Sequence, residues 1–101
     1  MSAAILEFQR TDRQRAAAMG VSLSAYHLFC LAADDSRPLS DYAITMGITG
    51  VAICGLSDTL ESKGFVTRER NLQDRRVVFL RLTPAGLERL DESQPFLEGV
   101  L

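Results

Sequence analysis

Six of the eleven basic residues fall between positions 61 and 86: Lys63, Arg68, Arg70, Arg75, Arg76 and Arg81, opposed by three carboxylates, Glu61, Glu69 and Asp74. A guanidinium stays charged and presents a fork of N–H donors, so this run is equipped to hold anions rather than to move protons. Elsewhere the balance reverses. Residues 21–60 set Arg37 against Asp34, Asp35, Asp41 and Asp58, and residues 87–101 set Arg89 against Glu88, Asp91, Glu92 and Glu98. With a net charge of −2 over the 101 residues, affinity for a polyanion has to come from the one local positive field.

The other chemically capable side chains do not assemble into a reaction centre. His27 reads as a helix-surface or half-buried histidine, Cys30 as a core thiol, Asp34-Asp35 as a solvated turn, and Glu88, Asp91 and Glu92 as the wet face of a helix. No nucleophile, base and oxyanion site come together. Cys30 and Cys54 form no CxxC, and the single His27 cannot complete a zinc site with them. No enzyme, metal or cofactor is expected. The opening MSAAILEFQRTDRQR reaches charge too early for a signal peptide, and no apolar run approaches the roughly 20 residues of a membrane span. The expectation is a cytoplasmic protein with no membrane partner.

The elements that position the arginines follow from caps and periodicity. Ala3 to Met19 predicts a helix stopped by Gly20; Ser22 or Ser24 caps a second through about Ala33, with Leu28, Leu31 and Ala32 on one face. After the turn 34–38, Ser40 is expected to cap a short helix ending at Gly47, and Thr49 to cap another running to about Lys63 before Gly64. Phe65 to Glu69 and Val77 to Leu82 predict two strands joined by the polar loop Arg70 to Arg76, with Val78, Leu80 and Leu82 inward. Thr83-Pro84 then starts a last helix to about Ser93. This order predicts a mainly α fold with a small β-hairpin wing, a winged helix-turn-helix. One domain is expected: an N-terminal helix (1–20), the winged-helix core (21–86), and a C-terminal helix and tail (87–101) available for a dimer contact.

The stretch LESKGFVTRERNLQDRRVVFLRLTPAG, Leu60 to Gly86, resembles the wing region of the MarR family of bacterial transcriptional regulators. Its pattern L-x-x-x-G-[LFW]-[VI]-x-R, D-x-R and L-T-x-x-G is met by Leu60, Gly64, Phe65, Val66 and Arg68, by Asp74 and Arg76, and by Leu82, Thr83 and Gly86. LSDYAITMGIT and VSLSAYHLFCLAA are similar to the helices upstream, so the resemblance covers roughly residues 21 to 90. It implies a homodimer on double-stranded DNA, with one helix in the major groove, Arg76 as the wing arginine in the minor groove, and Asp74 orienting it through a salt bridge. The family continues past L-T-x-x-G into long helices that build the dimer, whereas this chain ends about fifteen residues later. The resemblance names no small-molecule effector.

The helix expected at the major groove, 49–63, is unusual. Between Gly47 and Ser62 it has no Lys, Arg, Asn or Gln. With Ile53, Leu56 and Leu60 turned to the core, 100° per residue puts Val51, Cys54, Gly55, Asp58 and Ser62 outward. Val51 can meet a thymine methyl, Asp58 can accept from a cytosine amino group, and Gly50 and Gly55 let the backbone approach. The expected DNA-binding set is Thr49, Gly50, Val51, Cys54, Gly55 and Asp58 on the helix, with Arg68 on the strand before the wing and Arg70, Arg75 and Arg76 in the wing at 70–76. Two other readings stay open: a protein-interaction module that docks the bland helix on a protein, and a redox-responsive regulator reporting through Cys54. Ile5, Phe8, Phe96, Leu97, Val100 and Leu101 are more apolar side chains than two terminal segments normally expose, and they supply the expected dimer surface.

Overall fold

The computed structural model describes the backbone of residues 3–90 and the side chains of residues 11–90. The terminal side chains assigned above to the dimer surface, from Ile5 and Phe8 to Phe96, Leu97, Val100 and Leu101, lie outside these described residues.

Helix α1 (Ala3–Met19) gives way at Gly20 to α2 (Leu23–Asp34), where Ser22 accepts the hydrogen bond of Ala25 N at 3.1 Å. Ser22 is therefore the cap and Ser24 is not. Helix α3 (Leu39–Met46) starts one residue before the expected Ser40 cap: Pro38 takes the cap position with no side-chain hydrogen bond. Starting at Leu39 puts Leu39, Tyr42 and Ala43, spaced i, i+3, i+4, on one buried face, and that burial outweighs a hydroxyl cap. Thr49 caps α4 (Gly50–Ser62) by accepting from Ala52 N at 3.1 Å.

Between α3 and α4 the chain bends by 112° within three residues. Gly47 makes this bend cheap. At φ 68° it sits in the left-handed region, with its N–H on Ile44 O and that of Ile48 on Ala43 O, the paired bonds of a Schellman ending. The same pattern ends α4 at Gly64, where Phe65 N donates to Leu60 O at 3.0 Å. Phe65 is thus part of the helix stop, so β1 runs Val66–Arg70 and β2 runs Val78–Leu82, each starting one residue later than expected. They pair antiparallel from Val66↔Leu82 to Arg70↔Val78, and an isolated bridge, Pro38↔Phe79, ties β2 to the start of α3. A further helix, α5, occupies residues 84–90.

The core lies where α2, α3, α4 and the hairpin meet, around Leu28, Phe29, Tyr42, Leu60, Val66 and Leu80. Phe29 and Phe65 meet edge to face with centroids 6.2 Å apart. The Tyr42 hydroxyl donates to Asp35 O and accepts from Arg37 N at 2.9 Å, which fastens the turn between α2 and α3. Thr83 secures α5: its N–H donates to Phe65 O, and its Oγ1 donates to Gly64 O and accepts from Gly86 N. Gly86 lies so close to this turn that an added Cβ would stand 2.2 Å from Phe65 O. The motif glycine is a packing requirement. Among the described residues, no single helix is long and apolar enough to cross a membrane.

Candidate nucleic-acid interface

Helix α4 turns its core face inward through Ile53, Ser57 and Leu60, with Leu56 half-buried at the margin. Ser57 was not expected there. It is fully buried because its hydroxyl donates to Ile53 O at 2.8 Å and so carries no unmet polar group into the core. The opposite face carries Val51, Cys54, Gly55, Asp58 and Ser62, all exposed as phase predicted, and Thr49 and Gly50 are exposed at the helix start. Val51 is 85% exposed. A Cβ added at Gly50 or Gly55 would meet nothing within 4 Å, so packing among the described residues does not require either glycine.

The hydroxyls on this helix are largely turned to its own backbone. Thr59 Oγ1 donates to Gly55 O at 3.2 Å and Ser62 Oγ to Thr59 O at 2.9 Å. Asp58 is not a free carboxylate. It pairs with Arg68 Nη2, which also meets Glu61 Oε1 at 3.0 Å, and the Arg68 backbone N–H donates to Glu61 Oε2 at 3.3 Å. Glu61, with Asp58 also contributing, holds the Arg68 guanidinium above its usual range. The clasp fastens β1 to α4. Sequence reasoning missed Glu61, yet a signal was present: Asp58 and Glu61 are i, i+3 on one helix, and the Gly64 turn returns the chain so that Arg68 passes alongside them.

The wing arginines divide by partner. Arg70 Nη1 donates to Arg75 O at 2.9 Å, bracing the loop. Arg76 forms a two-pronged pair with Asp74, Nε to Oδ1 at 3.0 Å and Nη2 to Oδ2 at 3.1 Å, and its backbone N–H also donates to Oδ1. The guanidinium beside it, aided by that N–H, lowers the Asp74 carboxyl below its ordinary pKa. The Arg76 side chain remains 91% exposed, so it is oriented without being covered. Asn71 Oδ1 accepts from Gln73 N and Asp74 N, a local Asx-type turn that shapes the tip. Arg81 pairs with Glu69 across the strands. Arg70 and Arg75 have no carboxylate partner among the described residues. Leu72, 99% exposed at the same tip, was also missed.

Helix and wing share one concavity, a cleft of 440 Å³ lined by Leu39, Cys54, Arg68, Arg70 and Val78. The remaining candidates lie apart from it. His27 Nε2 is 3.7 Å from Asp12 across α1 and α2, and Cys30 is half-buried, its thiol pKa pushed up by that burial. Among the described residues, no three His, Cys, Asp or Glu side chains are grouped to hold a metal.

Helix, three-residue turn, helix, hairpin and closing helix, with the second helix of the pair and the wing flanking one cleft, define a winged helix-turn-helix domain. The family model of the MarR family matches residues 21–78, more than half of the chain, and the chain belongs to that family. It is 35% identical over 79 residues to the uncharacterized HTH-type transcriptional regulator YdgJ of Bacillus subtilis (strain 168), covering 77% of this chain and 48% of YdgJ. Among solved structures, the YusO protein from Bacillus subtilis superposes with a TM-score of 0.75 at 24% identity, covering 97% of this chain and 70% of YusO. The S. aureus MepR–DNA complex does so with a TM-score of 0.77 at 19% identity, covering 96% and 74%. These two establish the shared fold. The chain spans about half the length of YdgJ, a relative named as a transcriptional regulator.

Proposed function

We propose that this chain is a DNA-binding transcriptional regulator with no catalytic activity of its own, acting in the cytoplasm as a homodimer on double-stranded DNA. Helix α4 faces the major groove and the wing, residues 70–76, enters the minor groove. One observation carries the reading: Cys54 on the exposed face of α4 and Arg70 at the base of the wing line the same cleft, and farther along the wing Arg75 has no carboxylate partner among the described residues while Arg76 is held by Asp74 with its side chain exposed. A narrow minor groove concentrates negative potential, and an exposed guanidinium is the side chain suited to enter it. Arg68, clasped by Asp58 and Glu61, is assigned to holding wing and helix at a fixed separation. Thr49, at the helix start with its oxygen engaged by the cap, still has an O–H to donate to a phosphate. Support for the dimer comes from membership of the family and from α5, where Leu87 stands half-exposed and lines, with Leu90 and Leu82, a shallow cleft of 290 Å³ that Ser36 and Arg81 also border.

The test is a salt titration of binding to random-sequence duplex DNA by fluorescence anisotropy. Log affinity falls linearly with log salt for the native chain, and Arg75→Ala with Arg76→Ala flattens the slope by about 0.9 for each phosphate that is no longer neutralised. Salt-independent binding, or an unchanged double variant with intact fold, refutes the reading.

A further inference from the structure

The outward face of α4 lacks the groups that normally read bases, and what remains has a chemistry of its own. Gln, Asn, Arg and Lys are absent from residues 50–62. The hydroxyl protons of Ser57, Thr59 and Ser62 go to backbone carbonyls of the same helix, and Asp58 is engaged by Arg68. No side chain of the helix is left to make a forked contact to guanine or adenine. The large apolar side chain exposed on the face is the isopropyl group of Val51, 85% exposed, in the first turn, which is the part of a recognition helix that meets base edges. Beside it stand Gly50 and, one turn on, Gly55, where an added Cβ would touch nothing. An apolar knob thus projects between two positions bare of side chain. The only apolar group on the edge of an unmodified base pair in the major groove is the C5-methyl of thymine.

We propose that α4 reads thymine through its C5-methyl group, with Val51 as the specificity-determining residue and Gly50 and Gly55 giving the backbone room to let the methyl in. The proposal rests on the DNA-binding reading above and names what that face selects: duplexes with thymines at the centre of each half-site, chosen by shape and apolar contact instead of hydrogen bonds. Charge complementarity selects the occupant. The patch lies on the helix whose Cys54 borders a cleft with Arg68 and Arg70, and the adjoining wing carries Arg75 and Arg76 with solvent-exposed side chains. A polyanion with methyl groups in its groove satisfies both.

The experiment takes one duplex enriched by selection from a random library and resynthesises it with deoxyuridine in place of every thymidine, which removes the methyl and leaves base pairing intact. The native chain binds the deoxyuridine duplex more weakly by about fourfold for each buried methyl group removed, the equivalent of one buried CH2. Val51→Ala, at an exposed position that leaves the fold intact, brings the ratio between the two duplexes close to one while keeping the steep salt dependence. Equal binding of both duplexes by the native chain overturns the methyl readout and leaves the DNA-binding reading standing. An undiminished ratio in Val51→Ala overturns the role of Val51. Failure to bind either duplex in a salt-dependent way refutes the DNA-binding reading itself, and this inference with it.

Discussion

Gly55→Ala separates what the fold needs from what a bound duplex needs. Gly55 is in the interior of α4, is exposed, and lies outside the left-handed region. The new methyl would have nothing within 4 Å, and the bond from Thr59 Oγ1 to Gly55 O is made to a backbone carbonyl that alanine keeps. Nothing in the folded state opposes the change. The gain comes from the smaller backbone entropy lost on folding, about 0.5–1 kcal/mol for alanine over glycine in a helix interior. For a domain of this size that raises Tm by about 2–8 °C, measured by thermal unfolding at a fixed chain concentration because the proposed dimerisation would make Tm concentration-dependent. On DNA the sign inverts. A methyl one turn from Val51 fills the space through which the backbone is proposed to approach the groove, so duplex affinity falls roughly fivefold, the lower end of what an extra methyl costs in a packed interface. A Tm that stays level or drops refutes the open-face argument. A raised Tm with unchanged DNA affinity shows that this part of α4 does not approach the duplex.

Gly86→Ala has the opposite effect on stability: its Cβ would fall 2.2 Å from Phe65 O, a backbone atom that cannot rotate away, so unfolding experiments should show a loss of about 1–3 kcal/mol or more, and an unchanged midpoint would refute the close approach of α5. Asp74 should titrate below the ordinary aspartate value of about 3.9 when followed by carboxyl NMR, because Arg76 favours its charged form. A carboxyl lowered in the folded state contributes its ion pair above the unfolded value and loses it as pH falls through the lowered midpoint. Arg76→Ala should return that midpoint upward, and a midpoint indifferent to Arg76 would sink the orienting pair.

Much of this architecture was legible in the sequence because its boundaries are made by single residues with local chemistry. Gly20, Gly47 and Gly64 each end a helix in the left-handed region, and Ser22 and Thr49 each cap one. The errors arose where burial or a backbone hydrogen bond outweighed the signal carried by residue type. Ser40 looked like a cap, but burial of Leu39 against the core moved the start of α3 to its neighbour. Phe65 looked like strand, but its N–H was already committed to Leu60 O. Val77 likewise gives its N–H to Asp74 O and closes the loop instead of joining β2. Phase arithmetic placed the outward residues of α4 correctly yet left Ser57 out of the core, because a serine reads as polar until its hydroxyl is seen to bond its own helix.

The lack of forked hydrogen-bonding residues on α4 could be read from the sequence directly. Why Asp58 does not fill that role could not, since it depends on Arg68 arriving from the next element. That ion pair changes the meaning of the helix. With a free carboxylate the face would repel phosphates and offer cytosine an acceptor. With the carboxylate clasped together with Glu61 around one guanidinium, the repulsion is reduced by one charge and the Asp58 oxygens are engaged, so the face presents an apolar knob flanked by open backbone. In the proposed reading, the cation that couples the wing to the helix is thereby also the one that leaves apolar contact as the chief means by which α4 would distinguish one base from another.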